Sequence, residues 1–214
     1  MMPKARPSTA ALDELLRRTP QLWRGRSTAA VPSLATGFSA LDRLLPGHGW
    51  PVGALTELYP RAAGIGELQL LLPCLRRIAR DDARPVVMIQ TPHTPYAPAL
   101  FRAGLPLQRL VWLQPASQQE AQWAAEQTLR AGMAGAVLMW SDSRADLALR
   151  RLQLAAEDGK AAAFLYRPLH LLQNASPAAV RLALHPAVDA LRIDVMKARG
   201  GHGGSVLCPL RRAA

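Results

Sequence analysis

Short apolar runs alternate with amphipathic stretches along most of the chain. The runs are bounded by glycine, proline or charged residues, and the stretches between them place leucine and alanine at helical spacing. Such alternation predicts a parallel sheet covered by helices on both faces. The predicted strands are Ala54–Tyr59, Pro85–Ile89, Leu110–Leu113, Ala136–Trp140 and Ala162–Tyr166; the predicted helices are residues 37–45, Gly66–Arg80, Pro95–Ala103, Gln118–Ala131 and Arg144–Ala156.

The C-terminal part of the pattern differs, because two apolar runs follow each other without a helix between them. Val180–Leu184 and Leu191–Met196 predict two strands joined by a turn at His185–Pro186, which pair in antiparallel fashion at the edge of the sheet. The run GGHGG then disfavours regular structure, so residues 200–214 are predicted to form a flexible basic tail. Residues 33–199 are the predicted core domain.

Residues 1–32 are predicted to form a helical arm and a linker. Within them, the stretch from Ser8 to Arg18 starts with helix-capping residues and ends with basic ones, and Pro20 stops it. Its apolar side and the tryptophan that follows make the arm a candidate partner-binding segment, although that tryptophan folding back onto the protein's own core is equally open. The candidate residues are Leu12, Leu15, Leu16 and Trp23.

The loop after the first predicted core strand has the position of a phosphate-binding loop without its chemistry. Such a loop needs a glycine, four residues, and then Gly-Lys-Ser/Thr, so that backbone amides and a lysine hold the phosphates while the hydroxyl holds magnesium. Counting back from Gly66, the first glycine position holds Arg61, the lysine position Glu67 and the hydroxyl position Leu68. Because Glu67 would point a negative charge at a triphosphate, we predict a degenerate loop and no bound nucleotide cofactor.

Charge is concentrated at the two ends of the chain. Of the net charge of +11 over 214 residues, +8 lies within residues 1–32 and 192–214. A basic end can contact nucleic acid by displacing counterions, but it can also be a solvated tail, and both interpretations stay open. The candidate DNA-binding residues are Arg17, Arg18, Arg24, Arg26, Lys197, Arg199, Arg211 and Arg212.

Cysteine and histidine spacing argues against metal chemistry. Cys74 and Cys208 lie far apart without a CxxC motif, and the histidines are scattered among prolines and glycines, so neither a metal site nor a disulfide framework is expected. His93 is interpreted as a polar loop residue. No apolar run has the length of a signal peptide or of a membrane span, which predicts a cytoplasmic protein.

One stretch carries a resemblance to a known family. The sequence TGFSALDRLLPGHGWPVGALTELY resembles the start of the RecA recombinase core through its Thr-Gly, Leu-Asp, glycine-rich turn, Pro-x-Gly and Glu-x-Tyr. The likeness covers roughly residues 36 to 199. More closely, the chain is similar to the ImuA family, RecA-like proteins of bacterial translesion-synthesis operons that are often grouped with the SulA cell-division inhibitors. The stretches LWRG, GIGELQLLLP, TPHTPYAPAL, LRRLQLAAE and FLYRP carry that similarity.

The resemblance implies a RecA-like α/β core whose nucleotide site has lost its function. The glutamate that activates the attacking water in RecA falls near Pro92, which has no side chain able to accept a proton. Asp142 falls where a magnesium-supporting aspartate belongs, but a helix cap is the favoured interpretation. Loss of the lysine, the hydroxyl and the glutamate implies that the protein has no catalytic residues and is not an enzyme.

The same resemblance implies a role in the SOS response to DNA damage. The implied function is a non-catalytic accessory protein of error-prone translesion synthesis, associated with the nucleoid after damage. The implied partners are RecA, an ImuB-type inactive Y-family polymerase, an error-prone C-family DNA polymerase and, as a further candidate, single-stranded DNA. Two alternatives stay open: a SulA-like inhibitor of the tubulin-like division protein, and a weak RecA-like ATPase.

Overall fold

A computed structural model of the chain describes residues 31–210, and a large mixed sheet lies at its centre. The strands are β1 Ser33–Leu34, β2 Trp50–Pro51, β3 Ala54–Pro60, β4 Val86–Ile89, β5 Leu110–Leu113, β6 Ala136–Trp140, β7 Ala162–Tyr166, β8 Val180–Ala187, β9 Ala190–Ala198 and β10 Gly204–Pro209. The α-helices are α1 Ser39–Asp42, α2 Leu72–Arg80, α3 Ala97–Arg102, α4 Gln118–Arg130 and α5 Asp146–Gly159, and 3₁₀ turns cover Pro46–His48, Leu107–Arg109 and Leu169–Gln173.

The sheet has eight strands in the order β10-β9-β8-β3-β7-β6-β4-β5. The six strands from β8 to β5 run parallel, and β9 is antiparallel to both β8 and β10. Strands β1 and β2 form a separate two-stranded antiparallel ribbon. Because the six parallel strands share one direction, their carboxyl ends and the loops that follow them meet at one edge of the sheet.

Helices cover both faces of the sheet and create two hydrophobic cores. Alternate residues of β3 point to opposite faces, so that Leu58 joins the core beneath α2 while Leu55 joins the core beneath α4 and α5. Ile78 of α2 and Leu152 of α5 are buried in these two cores, respectively. The predicted α/β class, with a mostly parallel sheet between two layers of helices, is therefore confirmed.

Helix α2 starts later than the sequence pattern predicts. The predicted helix began at Gly66, whereas the observed one begins at Leu72, after a series of turns. Gly64 and Gly66 both have positive φ, of 76° and 100°, which an α-helix does not contain. Pro73 lies in the first turn of the observed helix, where its missing N–H costs nothing.

The predicted antiparallel pairing of β8 with β9 is confirmed, but β8 does not lie at the edge, because it also pairs in parallel with β3. Two further details differ from the prediction. The predicted turn at His185–Pro186 is wrong, because β8 continues to Ala187 and the hairpin turn is formed by Val188 and Asp189, whose φ of 50° suits a tight two-residue turn. The flexible tail is wrong for residues 204–209, which form β10 at the edge of the sheet.

Two further details concern β10 and the segment that follows α1. In β10, Val206 and Cys208 point toward the core while Ser205, Leu207 and Pro209 are exposed, which is the alternation of a strand with one buried face. The glycine-rich turn in PGHGWPVG contains a 3₁₀ turn and then β2, which pairs with β1.

Candidate functional site

A cleft of about 380 Å³ lies at the carboxyl ends of β3, β4, β6 and β7. This edge of a parallel sheet is the usual place for a binding site, because the loops that follow the strands can vary without disturbing the core. The polar and aromatic residues that line the cleft include Glu67, Gln90, Trp140, Asp142 and Tyr166.

The structure brings only some of the predicted nucleotide-site residues together. Glu67, Pro92 and Asp142 line the cleft. Gly66 instead lines a second cleft of about 220 Å³ beside Leu210. Leu68 packs on the hydrophobic core and Arg61 is exposed.

Glu67 organises the loop that follows β3. Its Oε1 accepts a hydrogen bond from the backbone N–H of Gly64 at 2.9 Å, and its backbone carbonyl accepts one from the Tyr166 hydroxyl at 3.0 Å. Its Oε2 is buried and has no hydrogen-bond partner within the described residues. The N–H of Gly64 is thus bonded to a carboxylate of the same loop, and a phosphate would have to displace that carboxylate to reach it.

Asp142 does not cap the helix that follows β6, so the favoured helix-cap interpretation is wrong. Helix α5 starts only at Asp146, after Ala145. The serine hydroxyls of Ser141 and Ser143 accept the loop amides of Ser143 and Ala145 instead. Asp142 is exposed at the rim of the cleft.

Two aromatic rings form one wall of the cleft. Trp140 stacks on Tyr166 with ring centroids 4.5 Å apart and an interplanar angle of 10°. Burial raises the pKa of the Tyr166 phenol well above its ordinary value, and the nearby charge of Glu67 raises the pKa further. The phenol therefore stays protonated and keeps donating to the loop.

Gln90 completes the cleft at the end of β4. Its backbone has a positive φ of 56°, an uncommon conformation for a residue other than glycine, and its N–H donates to the carbonyl of Leu113. The side-chain Oε1 is buried without a hydrogen-bond partner in the described part of the chain. Two residues that line the cleft, Gln90 and Glu67, therefore each carry one buried oxygen acceptor.

A buried ionic network lies beside the cleft on the α4–α5 face of the sheet. The fully buried Glu57 carboxylate pairs with Arg167 Nη1 at 3.0 Å and with Arg181 Nε at 2.8 Å. The Tyr59 hydroxyl donates to Glu57 Oε2 at 2.7 Å and accepts from both arginines. The pKa of Tyr59 is raised, by burial first and then by its hydrogen bond to Glu57.

The network fixes the loops that surround the cleft. Arg167 Nη2 donates to the carbonyl of Ser143, after β6, at 2.6 Å, and Arg181 Nη2 donates to the carbonyl of Leu172, after β7, at 2.9 Å. The sequence pattern does not reveal this network. The charged Glu57 within an apolar strand was a visible indication, but its arginine partners lie 110 and 124 residues away.

Two of the candidate DNA-binding residues are engaged within the fold. Lys197 Nζ donates to the carbonyl of Ser176 at 2.9 Å, and Arg199 donates to the carbonyl of Pro177 at 3.4 Å. Burial lowers the pKa of Lys197, and the charges of Arg199 and Arg181 lower it further. The other candidates, Arg17, Arg18, Arg24, Arg26, Arg211 and Arg212, and the arm residues Leu12, Leu15, Leu16 and Trp23 lie outside the described residues, so these interpretations remain predictions.

Within residues 31–210, no group of three or more His, Cys, Asp or Glu side chains is placed to hold a metal ion. Cys74 and Cys208 are both free and buried. In the same part of the chain, no helix is long and apolar enough to cross a membrane.

The fold and the cleft define an α/β protein with a helix-flanked, mostly parallel sheet and a cleft at the carboxyl ends of its strands. In sequence, the chain is similar to the cell division inhibitor SulA of Edwardsiella piscicida, with 34% identity over 101 residues, and to that of Photorhabdus laumondii, with 32% over 114 residues. These matches cover 47% and 53% of this chain and span only 60% and 63% of the two relatives.

A crystal structure of SulA from Pseudomonas aeruginosa also matches the chain, with 29% identity and a TM-score of 0.45, covering 53% of this chain and 97% of that one. No protein-family model matches the chain. The more specific resemblance to the ImuA family is not among these findings.

Proposed function

We propose that this protein acts without catalysis, by binding another protein, as a SulA-like inhibitor of cell division in the response to DNA damage. The observation that carries the proposal is the sequence similarity to two SulA cell division inhibitors, at 34% and 32% identity. Under this proposal the target is the tubulin-like division protein, and the protein acts in the cytoplasm.

The chemistry of the cleft supports a role other than catalysis. The loop after β3 presents Glu67 where a phosphate-binding lysine is needed, and the glutamate already bonds the loop amide of Gly64. Pro92 supplies no general base. A protein that lacks these groups can act by occupying a partner's surface, for which the rigid sheet is a suitable scaffold.

A second candidate function is the accessory role in translesion synthesis. It is favoured by the sequence stretches that resemble RecA and the ImuA family, which extend over roughly residues 36 to 199, whereas the matches to the SulA relatives cover about half of the chain. In this role, a RecA-like subunit without hydrolysis would add to the end of a RecA filament. It would thereby connect the filament to an ImuB-type polymerase homologue and an error-prone C-family polymerase.

One pair of measurements separates the two candidates. The full chain, carrying a tag, is expressed in growing cells that lack the native copy. Cell length and damage-induced mutation frequency are measured in these cells. The tagged protein is then captured after DNA damage, and its bound proteins are identified. A division inhibitor should cause cells to elongate without dividing and should capture the tubulin-like division protein. Normal division with a mutation frequency that depends on the protein, together with capture of RecA or the ImuB-type homologue, would establish the second function and overturn the first.

A further inference from the structure

We infer that the cleft at the carboxyl ends of β3, β4, β6 and β7 receives an arginine side chain from a partner protein. This inference rests on the proposed function, because it assumes that the protein works by binding a partner, and it assigns the contact to a particular cleft. The volume of about 380 Å³ is at the lower end of typical ligand sites and is ample for one side chain.

Three side chains that line the cleft have a buried polar atom without a partner among residues 31–210. Two of these atoms are acceptors, and the third is the Nε donor of Arg167, whose Nη atoms are bonded to Glu57, Tyr59 and Ser143. Glu67 Oε2 and Gln90 Oε1 both belong to lining residues, both are buried, and neither has a hydrogen-bond partner among residues 31–210. Leaving such atoms unpaired costs free energy. Both oxygens are enclosed, so a group with several N–H donors would complement them once the two side chains rotate toward the cleft. The positive φ of Gln90 agrees with this, since backbone strain that the fold maintains is concentrated at functional positions.

The charge and the aromatic wall select a planar cation. Glu67 and Asp142 line the cleft with negative charge, while the guanidinium of Arg167, which also lines it, is already paired with Glu57. Trp140 stacks on Tyr166 and remains partly exposed at the cleft. A guanidinium combines positive charge, a flat face that stacks on an indole and donors in a fixed plane, whereas a lysine ammonium lacks the planar fork and a phosphate has the wrong charge.

The test uses the free full-length protein and a small probe. N-acetyl-arginine methylamide is titrated into ¹⁵N-labelled protein while the Trp140 indole and Gln90 amide signals are followed, and N-acetyl-lysine methylamide and Mg-ATP are titrated in parallel. The Trp140 signal is assigned with Trp140→Phe. Saturable shifts with the arginine probe, weaker shifts with the lysine probe and none with Mg-ATP are expected.

Two variants make the test specific to the cleft. Glu67→Gln keeps an oxygen that can accept the Gly64 N–H and removes the charge, so the loop should stay folded while affinity for the arginine probe falls about tenfold or more. Glu157→Gln makes the same chemical change at an exposed position at the end of α5 and should leave affinity unchanged. Absence of saturable shifts, or equal affinity in both variants, would overturn the inference.

Failure of the arginine-site inference can be distinguished from failure of the proposed function. If the arginine probe binds and Glu67→Gln abolishes that binding, the cleft is a guanidinium site even if no division protein is captured. If a partner is captured equally well by the Glu67→Gln variant, the proposed function survives and the assignment of the contact to this cleft is wrong.

Discussion

At the scale of single residues, Glu57 is a buried carboxylate held by three partners. Its carboxylate is fully buried and lies between two guanidinium groups and a tyrosine hydroxyl. A buried charge costs several kcal/mol of solvation unless it is paired, so removal of one member leaves the others uncompensated. The loops held by Arg167 and Arg181 depend on that balance.

Substitution Glu57→Gln tests this balance. The variant keeps the volume of the side chain but leaves the buried Arg167 and the partly buried Arg181 without their counterion, so we expect the free energy of unfolding to fall by about 3 kcal/mol. Urea denaturation measures this change in the free energy of unfolding. The exposed Glu157→Gln should change stability by no more than about 0.5 kcal/mol. Equal stability of the two variants would show that the network contributes nothing.

Because Cys74 is buried, we expect the free energy of unfolding to fall at alkaline pH. Burial raises the pKa of its thiol from the ordinary value of 9.0 to about 12, so the folded state holds the proton more tightly than the unfolded state. Its contribution is therefore complete below pH 9 and is lost as the pH rises from 9 toward about 12. Urea denaturation at a series of pH values should show this decline, and the decline should be shallower in Cys74→Ala. Rapid reaction of native Cys74 with a thiol reagent at pH 8 would contradict this account.

At the scale of elements, the close approach of α4 and α5 depends on a glycine. Gly159 ends α5, and a methyl group added there would collide with the backbone carbonyl oxygen of Leu129, in the last turn of α4. The two helices are also connected by an ion pair between Arg151 and the buried Glu126, at 2.6 Å. Both helices cover the same face of the sheet, so their spacing sets how well that core is filled.

Substitution Gly159→Ala separates packing from helix propensity. Propensity alone would make alanine more stabilising by about 0.5–1 kcal/mol, whereas the collision with backbone should cost about 1–3 kcal/mol, so we expect net destabilisation. Thermal and urea denaturation show whether the free energy of unfolding falls or rises in the variant. Gly203→Ala controls for the added methyl alone, because Gly203 lies outside the helices and the nearest atom to its added methyl is the Val195 carbonyl oxygen, at 3.8 Å. A stabilised Gly159→Ala would show that the helices can separate at no cost.

At the scale of the whole molecule, the strand-end cleft predicts that the protein does not bind ATP. The acidic Glu67 and Asp142 repel a triphosphate, and the lysine and hydroxyl positions of the loop hold Glu67 and Leu68. Calorimetry with Mg-ATP should therefore show no binding at micromolar concentration, and turnover should be absent. Tight binding that disappears in Asp142→Asn would mean that the site retains a nucleotide.

The charge distribution predicts where any DNA affinity resides. Most of the net charge of +11 lies at the chain ends, whereas Lys197 and Arg199 are occupied by backbone carbonyls. Changing Arg17, Arg18, Arg24, Arg26, Arg211 and Arg212 to glutamine should flatten the dependence of single-strand affinity on salt, because fewer counterions are released. The exposed Arg102 and Arg150 serve as controls. Because β10 is part of the sheet, substitution is a cleaner test than removal of the C-terminal residues.

The sequence by itself determined the elements of the parallel sheet. The spacing of apolar residues predicts the bounds of β3 to β7 and of helices α4 and α5 to within a few residues. It does so because burial of one face of an element depends on local spacing. The sequence also indicated that the loop after β3 lacks phosphate-binding groups, since that chemistry depends on residue type at fixed spacing. Helix α2 was less well defined, because the positive φ of Gly66 cannot be read from periodicity.

Only the tertiary structure decided which residues meet. Glu57 finds Arg167 and Arg181 through strand order, and β10 becomes a strand because β9 offers it an edge and a place to bury Cys208. The same holds for the cleft, where Gln90, Trp140 and Tyr166 join Glu67 from four separate strand ends. Contacts between distant segments depend on how strands are ordered across the sheet, and local spacing carries no information about that order.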